Sequence, residues 1–313
     1  MNFFNFSSLI PKSLLSKSQM RHVAYVASAG LILGVASLLG CATSPDGQQS
    51  HRYSPNTSFK QQMSMCQTRG IVFTDYHIHI RGGMTPEKAI DRQQHSGIRS
   101  AVLENYGREW PLSDNAKLAA FIATCKQAAP TGISLPIGIQ VNDRDWYQTI
   151  DPALLKKLDF ILADTMIMGV TKEGSPQRLW LPEVNIQDAK IWMQTYLSHN
   201  LRILDEPISI LANPTYLPPC ISNRYDELWS ETNMRQIIEK AVKNNIALEI
   251  QAGSPYPNPA FLKLAKAMGA KFSFGTNNFD PKPKDLSRWF EAITLLDLHA
   301  EDLWTPSNCK KRP

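Results

Sequence analysis

The stretch Ile71-Val-Phe-Thr-Asp-Tyr-His-Ile-His-Ile80 decides the fold, because it predicts a buried strand that ends in polar side chains. The run is rich in β-branched and aromatic residues, which favour strands. Its apolar residues are continuous rather than alternating, as in parallel strands that are covered on both faces. Residues two apart in a strand point the same way, so we expect His77 and His79 to lie side by side at its carboxyl end.

Six further runs of this kind follow, at residues 98–105, 133–141, 160–165, 208–213, 246–251 and 271–276. The segments between them predict helices at residues 86–97, 115–128, 188–198, 231–243, 259–268 and 284–295. The first helix has Thr85 as its N-cap, Pro86 at its first position and Gly97 at its end. Seven strand–helix units predict an α/β chain that forms a distorted (βα)7 TIM-like barrel, with a doubly wound sheet as the alternative.

The fourth connection, residues 165–187, is long and contains Lys172-Glu-Gly-Ser-Pro-Gln-Arg-Leu-Trp-Leu-Pro-Glu183. Long loops in compact domains often carry function. We expect this segment to form a lid or one wall of a substrate site.

The first forty residues have the parts of an export signal. A basic start without acidic residues precedes an apolar stretch at residues 23–39, which ends in Leu38-Leu-Gly-Cys41. This quartet resembles the lipobox of bacterial lipoproteins. The resemblance implies cleavage before Cys41, lipidation of its sulfur and anchoring to a membrane. Ala42 resembles the residue of signals sorted to the outer membrane, facing the periplasm. A plain transmembrane anchor with an incidental cysteine is the alternative.

The predicted organisation is a signal at 1–40, a flexible tether at 41–68, a barrel at 69–306 and a tail at 307–313. Without the signal, which holds three basic and no acidic residues, the net charge falls from +5 to +2. A nearly neutral chain gives no reason to expect nucleic acid as a partner, so a small molecule is the predicted substrate. Four cysteines besides Cys41 permit two disulfides, with Cys66–Cys309 the favoured pair, or separate buried thiols.

Polar residues stand at the carboxyl end of every predicted strand. Because these ends meet on one face of a barrel, they predict a polar pocket, and loop solvation is the alternative. The residues are Asp75, His77, His79, Glu104, Asn105, Gln140, Asn142, Asp164, Asn213, Glu249, Gln251, Thr276, Asn277 and Asn278.

In their order along the chain these segments resemble the PHP (polymerase and histidinol phosphatase) superfamily. Asp75-Tyr-His-Ile-His-Ile80 is similar to that family's opening D-x-H-x-H, and Phe274-Gly-Thr-Asn-Asn-Phe279 is similar to its seventh strand. The matching segments between them are residues 85–105, 136–142, 159–166, 210–214 and 247–251. The resemblance implies a distorted seven-stranded barrel that hydrolyses phosphoesters with up to three metal ions.

Most of the family's ligand positions differ here. His77 and His79 match its first pair, but its remaining carboxylate and histidine ligands fall on or near Glu104, Asn105, Gln140, Met166, Asn213, Asn277 and Phe279. Amide oxygens bind transition metals poorly, so a three-metal cluster is not expected.

The leading hypothesis is a metal-dependent hydrolase with a reduced site. His77, His79 and Glu249 would hold one or at most two divalent ions (Zn, Mn or Fe), with Asp164 or Glu104 as general base. Glu249 is alternatively part of an ion pair inside the barrel. The predicted substrate-binding residues are Arg81, Gln140, Asn142, Asn213, Asn277 and Asn278.

A different hypothesis follows from the amides. Together with aromatic loop residues, they suit a neutral, glycan-like ligand bound without catalysis; the candidates are Trp110, Trp180, Tyr216 and Tyr256. A scaffold in the cell envelope is a third possibility. Arg81, Arg108 and Arg144 follow the first three strands, and a cluster of them would favour an anionic substrate.

Overall fold

Seven parallel strands close into a barrel in the computed structural model, which describes residues 59–282 and 284–307. The strands are β1 (Thr74–His79), β2 (Arg99–Tyr106), β3 (Ile137–Val141), β4 (Phe160–Asp164), β5 (Ile167–Val170), β6 (Pro176–Arg178), β7 (Ile210–Ala212), β8 (Ala247–Gln251) and β9 (Phe272–Gly275). Around the barrel the strand order is β1-β2-β3-β4-β7-β8-β9, and a bridge between Asp75 and Phe274 joins the last strand to the first. The predicted closed α/β barrel is confirmed, and the doubly wound alternative is wrong.

Helices lie between the barrel strands. The start and end predicted for the helix that begins at Pro86 are confirmed. Thr85 Oγ1 accepts a hydrogen bond from Lys88 N at 3.3 Å, and Gly97 ends the helix with a φ of 72°. The helices are α1 (Phe59–Thr68), α2 (Pro86–Ser96), α3 (Asn115–Ala128), α4 (Trp146–Thr149), α5 (Pro152–Leu155), α6 (Ala189–Ile203), α7 (Tyr225–Leu228), α8 (Glu231–Lys243), α9 (Pro259–Ala267) and α10 (Ser287–Leu296).

The barrel interior is apolar toward the amino ends of the strands. Tyr76 meets Phe160 and Trp304 edge-on, with ring centroids 5.4 and 5.1 Å away. Gly138 leaves room for this filling, because a Cβ there would lie 2.6 Å from the ring of Phe160. The other members of this cluster are Ala101, Leu103, Leu162, Ile210, Ala212 and Ala247. Because aromatic side chains fill this end, the polar strand ends are confined to the opposite, carboxyl end.

The fourth connection folds into an antiparallel hairpin of β5 and β6. Leu179, just after β6, is almost fully buried, and its N–H donates to Met166 O at 2.9 Å. This contact anchors the hairpin beside the end of β4, at the mouth of the barrel.

The predicted tether is wrong at its carboxyl end. Residues 59–68 form α1, where Gln62 and Cys66 are buried, so part of this segment packs against the folded domain. The signal, Cys41 and the rest of the tether lie outside the described residues. No helix within 59–282 and 284–307 has the length and apolar character that crossing a membrane requires.

Cys66 and Cys125 are buried and Cys220 is exposed, and these three described cysteines form no disulfide with one another. Cys309 lies outside the described residues, so the Cys66–Cys309 pairing stays a prediction.

Candidate functional site at the carboxyl mouth of the barrel

The polar mouth follows from the two-residue period of the strands. On β4, Asp164 continues the inward row that begins with Phe160 and Leu162 in the apolar filling. On β8, Glu249 and Gln251 continue the row of Ala247 in the same way. These two strands therefore change from apolar to polar along their inward faces, and their polar ends are buried.

His77 is held between two side chains. Its Nδ1 lies 2.6 Å from Glu249 Oε1, and its Nε2 lies 3.0 Å from Gln140 Oε1. Burial alone lowers the pKa of His77, but the carboxylates of Glu249, Asp164 and Asp75 together outweigh it and raise that pKa. A protonated ring suits this position, because it donates from both nitrogens to the two oxygens.

Asp164 is the centre of an amide network. Its Oδ1 accepts from Met166 N at 3.0 Å and from Asn213 Nδ2 at 3.1 Å. Its Oδ2 accepts from Gln140 Nε2 at 3.3 Å. Gln251 Nε2 extends the network by donating to Asn213 Oδ1 at 2.9 Å. Burial raises the pKa of Asp164, which favours the neutral acid despite these donors.

Two of the amide residues have left-handed backbone. Asn213, after β7, has a φ of 50°, and Asn277, after β9, has a φ of 49°. Asparagine tolerates this region better than most residues. Thr215 has a φ of 61°, which is unfavourable for a β-branched residue. Its buried hydroxyl accepts from Tyr225 at 2.6 Å, which helps to hold the turn after β7.

His79 differs from His77 in its charge. Burial, the largest influence, lowers the pKa of His79 to about 4, so its ring is neutral at neutral pH. Its Nδ1 lies 3.5 Å from Glu104 Oε1, which is long for a hydrogen bond. The same oxygen accepts from Asn105 N at 2.7 Å and from Arg81 Nη1 at 3.2 Å. Oε1 of Glu104 is therefore committed to contacts within the protein, whereas its Oε2 is buried without a hydrogen-bond partner among the described residues.

Asp75 holds the mouth together from below. It is fully buried, and its Oδ2 accepts from Arg92 Nη1 at 2.8 Å and from Thr276 Oγ1 at 2.6 Å. Its Oδ1 accepts from the N–H of Thr276 and of His77, at 3.0 and 3.1 Å. Asp75 thus joins β1, α2 and the residue after β9, and no local sequence pattern indicates Arg92 as its partner.

A cavity of about 530 Å³ opens at this mouth. It lies within the volume range of small-molecule sites. Polar groups, indole rings and two arginines share its wall: the lining residues are His79, Arg81, Asn105, Glu109, Trp110, Pro111, Gln140, Asp164, Met166, Ile167, Arg178, Trp180, Asn277 and Phe279.

The cavity brings together only some of the predicted site residues. Asp164, His79, Arg81, Gln140 and Asn277 line it, and so do the predicted aromatic residues Trp110 and Trp180. The other predicted residues, which do not line it, are His77, Glu104, Asn142, Asn213, Glu249 and Asn278.

Asn278 and Asn142 have contacts of their own. The backbone of Asn278 extends the sheet, because its N–H donates to His77 O at 3.0 Å and its carbonyl accepts from His79 N at 2.7 Å. Asn142 is buried, and its Oδ1 accepts from Gln140 Nε2 at 3.4 Å. Asn142 therefore supports the cavity floor through Gln140.

The predicted aromatic residues after the fifth and sixth barrel strands lie together elsewhere. Tyr216 meets Tyr256 edge-on, with ring centroids 5.7 Å apart, and Tyr256 stacks on Tyr225 at 5.2 Å. They form a tyrosine cluster that is not part of the cavity lining.

The three arginines after the first three strands do not cluster. Arg108 is exposed and pairs with Asp143 and Asp145, whereas Arg144 is largely buried, with Nη1 3.2 Å from Glu206 Oε1. Of these three arginines, only Arg81 lines the cavity.

Arg178 and Glu109 are lining residues that our sequence reasoning missed. The Cζ atom of Arg178 lies 5.4 Å from the ring centroid of Trp110, a cation–π arrangement. A signal was present, since Arg178 lies in the long fourth connection, but its approach to Trp110 depends on how the hairpin folds.

The predicted metal ligands His77, His79 and Glu249 are not grouped as a metal site in this structure. Within residues 59–282 and 284–307, no group of three or more His, Cys, Asp or Glu side chains is placed to hold one. Both ring nitrogens of His77 already face protein oxygens. Gln140 and Asn213 stand where the PHP resemblance expects charged or imidazole ligands, and amides are weak ligands for these metals.

Comparisons with known proteins do not assign this barrel to a family. No protein-family model matches the chain, and no curated protein matches it either. The candidate site lies at the mouth of a TIM-like α/β barrel with seven parallel strands.

Proposed function

We propose that this barrel binds a neutral, polyhydroxylated ligand of the glycan type in its mouth cavity, without catalysis. The observation that carries the proposal is the composition of the cavity wall. Amide side chains, a neutral imidazole and two indole rings share this cavity, and its two arginines are matched in number by the acidic residues Glu109 and Asp164. Amides donate and accept hydrogen bonds without charge, as sugar hydroxyls do. Aromatic faces pack against the apolar faces of sugar rings.

Unused polar atoms in the wall support the proposal. Asn105 Oδ1 and Trp110 Nε1 are buried and have no hydrogen-bond partner among the described residues. An unpaired buried polar group costs about 1–3 kcal/mol. A ligand hydroxyl that reaches these atoms through a small side-chain shift would supply an acceptor for Trp110 and a donor for Asn105.

Isothermal titration calorimetry with glucose, galactose and N-acetylglucosamine tests the proposal. We expect saturable binding of at least one sugar by the wild-type protein. Asn105→Ala should weaken it about tenfold, equivalent to about 1.4 kcal/mol. Asn223→Ala, which removes an exposed amide in the short 3-10 helix Pro219–Arg224, is the matched control and should leave affinity unchanged. The proposal fails if no sugar binds, or if both variants bind like the wild type while melting normally.

The metal-dependent hydrolase of PHP type is the second candidate. The observation that favours it is the adjacency of two buried imidazoles, since the rings of His77 and His79 have centroids 5.2 Å apart. Glu249 on Nδ1 of His77 also resembles the carboxylate that commonly orients a metal-binding histidine. For His77 to bind a metal ion through Nε2, the contact between Nε2 and Gln140 Oε1 must first break.

Elemental analysis separates the two candidates. Protein purified without chelators is measured as wild type and as the His77→Ala/His79→Ala double variant. Stoichiometric metal in the wild type that disappears in the double variant supports the hydrolase. A metal-free wild type that still binds a sugar supports the ligand-binding barrel.

We also propose that the domain is held on the outer membrane, facing the periplasm, by lipid on Cys41. The sequence Leu38-Leu-Gly-Cys41 after an apolar stretch supports this. Labelled palmitate should enter the wild-type protein and not Cys41→Ser, while Cys220→Ser should label normally. Label retained in Cys41→Ser would contradict the anchor.

A further inference from the structure

The cavity has a buried floor and an exposed aromatic rim. On the floor, Asn105 and Gln140 are 3% and 5% exposed. On the rim, Trp180 and Phe279 are 39% and 46% exposed. All four line the same space. A ligand that contacts both levels must extend from the buried floor to the surface.

Trp180 is held in place by the segment before it. Leu179, its neighbour, is buried and bonded to the backbone of Met166. The ring of Trp180 takes part in no ring or cation contact with other residues in 59–282 and 284–307. Its backbone is therefore anchored beside Leu179, and its ring, which is 39% exposed, is covered by no other ring or cation of the described residues.

The other two aromatic residues are partly covered. The guanidinium of Arg178 lies over the ring of Trp110, and Lys284 Nζ lies 5.6 Å from the ring centroid of Phe279. Phe279 packs against the loop after β1, because its carbonyl lies so close to Gly82 that no Cβ fits there. Among these three aromatic rings, Trp180 is thus the one over which no cation of the described residues lies.

We propose that the ligand is a neutral oligosaccharide of at least two units, with one unit on the amide floor and the next stacked on Trp180. This rests on the proposed sugar-binding function and adds to it a second subsite and a requirement for chain length. The long fourth connection then has a definite purpose, which is to carry that second subsite on the hairpin of β5 and β6.

Titration calorimetry with sugars of increasing length tests the inference. The probes are glucose, cellobiose and cellotetraose, and in parallel N-acetylglucosamine and its β-1,4-linked dimer and tetramer. In the series that binds, the dimer should bind the wild type at least tenfold more tightly than the monosaccharide. Trp180→Ala should abolish that gain, because it should weaken dimer binding at least tenfold more than monosaccharide binding.

Leu181→Ala is the matched control, because Leu181 is 38% exposed in the same segment and lies outside the cavity lining. It should retain the gain with chain length. Equal affinities for monomer and dimer in the wild type would overturn the second subsite and leave the proposed function standing. An equal loss for monomer and dimer in Trp180→Ala would also overturn it. Absence of binding by every sugar would overturn the proposed function and the subsite together.

Discussion

The contact between His77 and Glu249 exists because Gly275 has no side chain. Nδ1 of His77 and Oε1 of Glu249 are 2.6 Å apart, on β1 and β8. Gly275 lies on β9, the strand between them. A Cβ at Gly275 would lie 2.8 Å from His77 Cβ and still closer to Glu249 Oε1. The missing Cβ on the middle strand is what lets side chains of its two neighbours meet.

Gly275→Ala should therefore destabilise the protein. We expect a loss of about 1–3 kcal/mol, as for other overpacked cores, since the new methyl group forces His77 and Glu249 apart. Urea denaturation followed by circular dichroism measures it. Gly253→Ala is the control, because a Cβ there meets nothing within 4 Å and no left-handed φ is involved. Equal stability of the two variants would show that the space at Gly275 is not required.

Glu249→Gln should lower the pKa of His77. The substitution removes the carboxylate nearest the ring, while burial continues to disfavour the charged form. Because the folded pKa of His77 is raised, its contribution to stability is complete below about pH 6.5 and is lost as the pH rises through that folded value. NMR titration of the His77 ring nitrogens measures the change. Glu239→Gln on helix α8 serves as the control, and an unchanged His77 titration in Glu249→Gln would contradict the assignment.

His199 should reduce stability in acid. Burial first, and then Arg144 and Arg202, lower the pKa of His199 from 6.5 to about 4. Full stability is present above pH 6.5 and is lost as the pH falls toward 4, by up to about 3 kcal/mol at 1.36 kcal/mol per unit. Between pH 7.5 and pH 4.5, His199→Gln should lose less free energy of unfolding than the wild type does.

The control for this acid effect is His95→Gln, because the side chain of His95 is 77% exposed. The free energy of unfolding of His95→Gln should change between the two pH values as that of the wild type does. Urea denaturation of the three proteins at the two pH values gives the comparison, and parallel losses in wild type and His199→Gln would refute the role of His199.

Arg92→Met should be strongly destabilising. It leaves the fully buried carboxylate of Asp75 without its cation, although both Thr276 donors and the His77 N–H remain. Breaking a buried ion pair on one side costs about 3–5 kcal/mol, and these remaining donors favour the lower end. Arg99→Met, at an exposed position, is the control. A midpoint of thermal unfolding that falls equally in both variants would show that the ion pair contributes nothing specific.

Local sequence patterns were enough to predict the barrel strands. The continuous apolar runs and the turn residues between them are short-range signals, and each run contains or overlaps an observed strand. The N-cap Thr85 and the terminal Gly97 also act within one helical turn, so they could be read directly. The segment before the barrel misled the prediction, because the burial of Gln62 and Cys66 in α1 depends on packing against distant residues.

The candidate site was only partly predictable, for the same physical reason. Position at a strand end correctly selected Gln140, Asp164 and Asn277 as lining residues. It did not show that His77 would use both ring nitrogens within the protein, since Glu249 and Gln140 are 172 and 63 residues away in sequence. Nor did it show that Arg178 would cover Trp110, which requires the hairpin to fold back over the mouth.

The sequence by itself determined the seven strands, their order along the chain and the polar residue types at their ends, because these depend on local periodicity. The tertiary structure decided which polar groups meet. Closing the barrel brought His77, Glu249 and Gly275 together and separated Arg108 and Arg144 from the cavity. Hydrogen bonds and burial act over a few ångströms in space, so the character of this mouth depends on neighbours that the order of residues does not reveal.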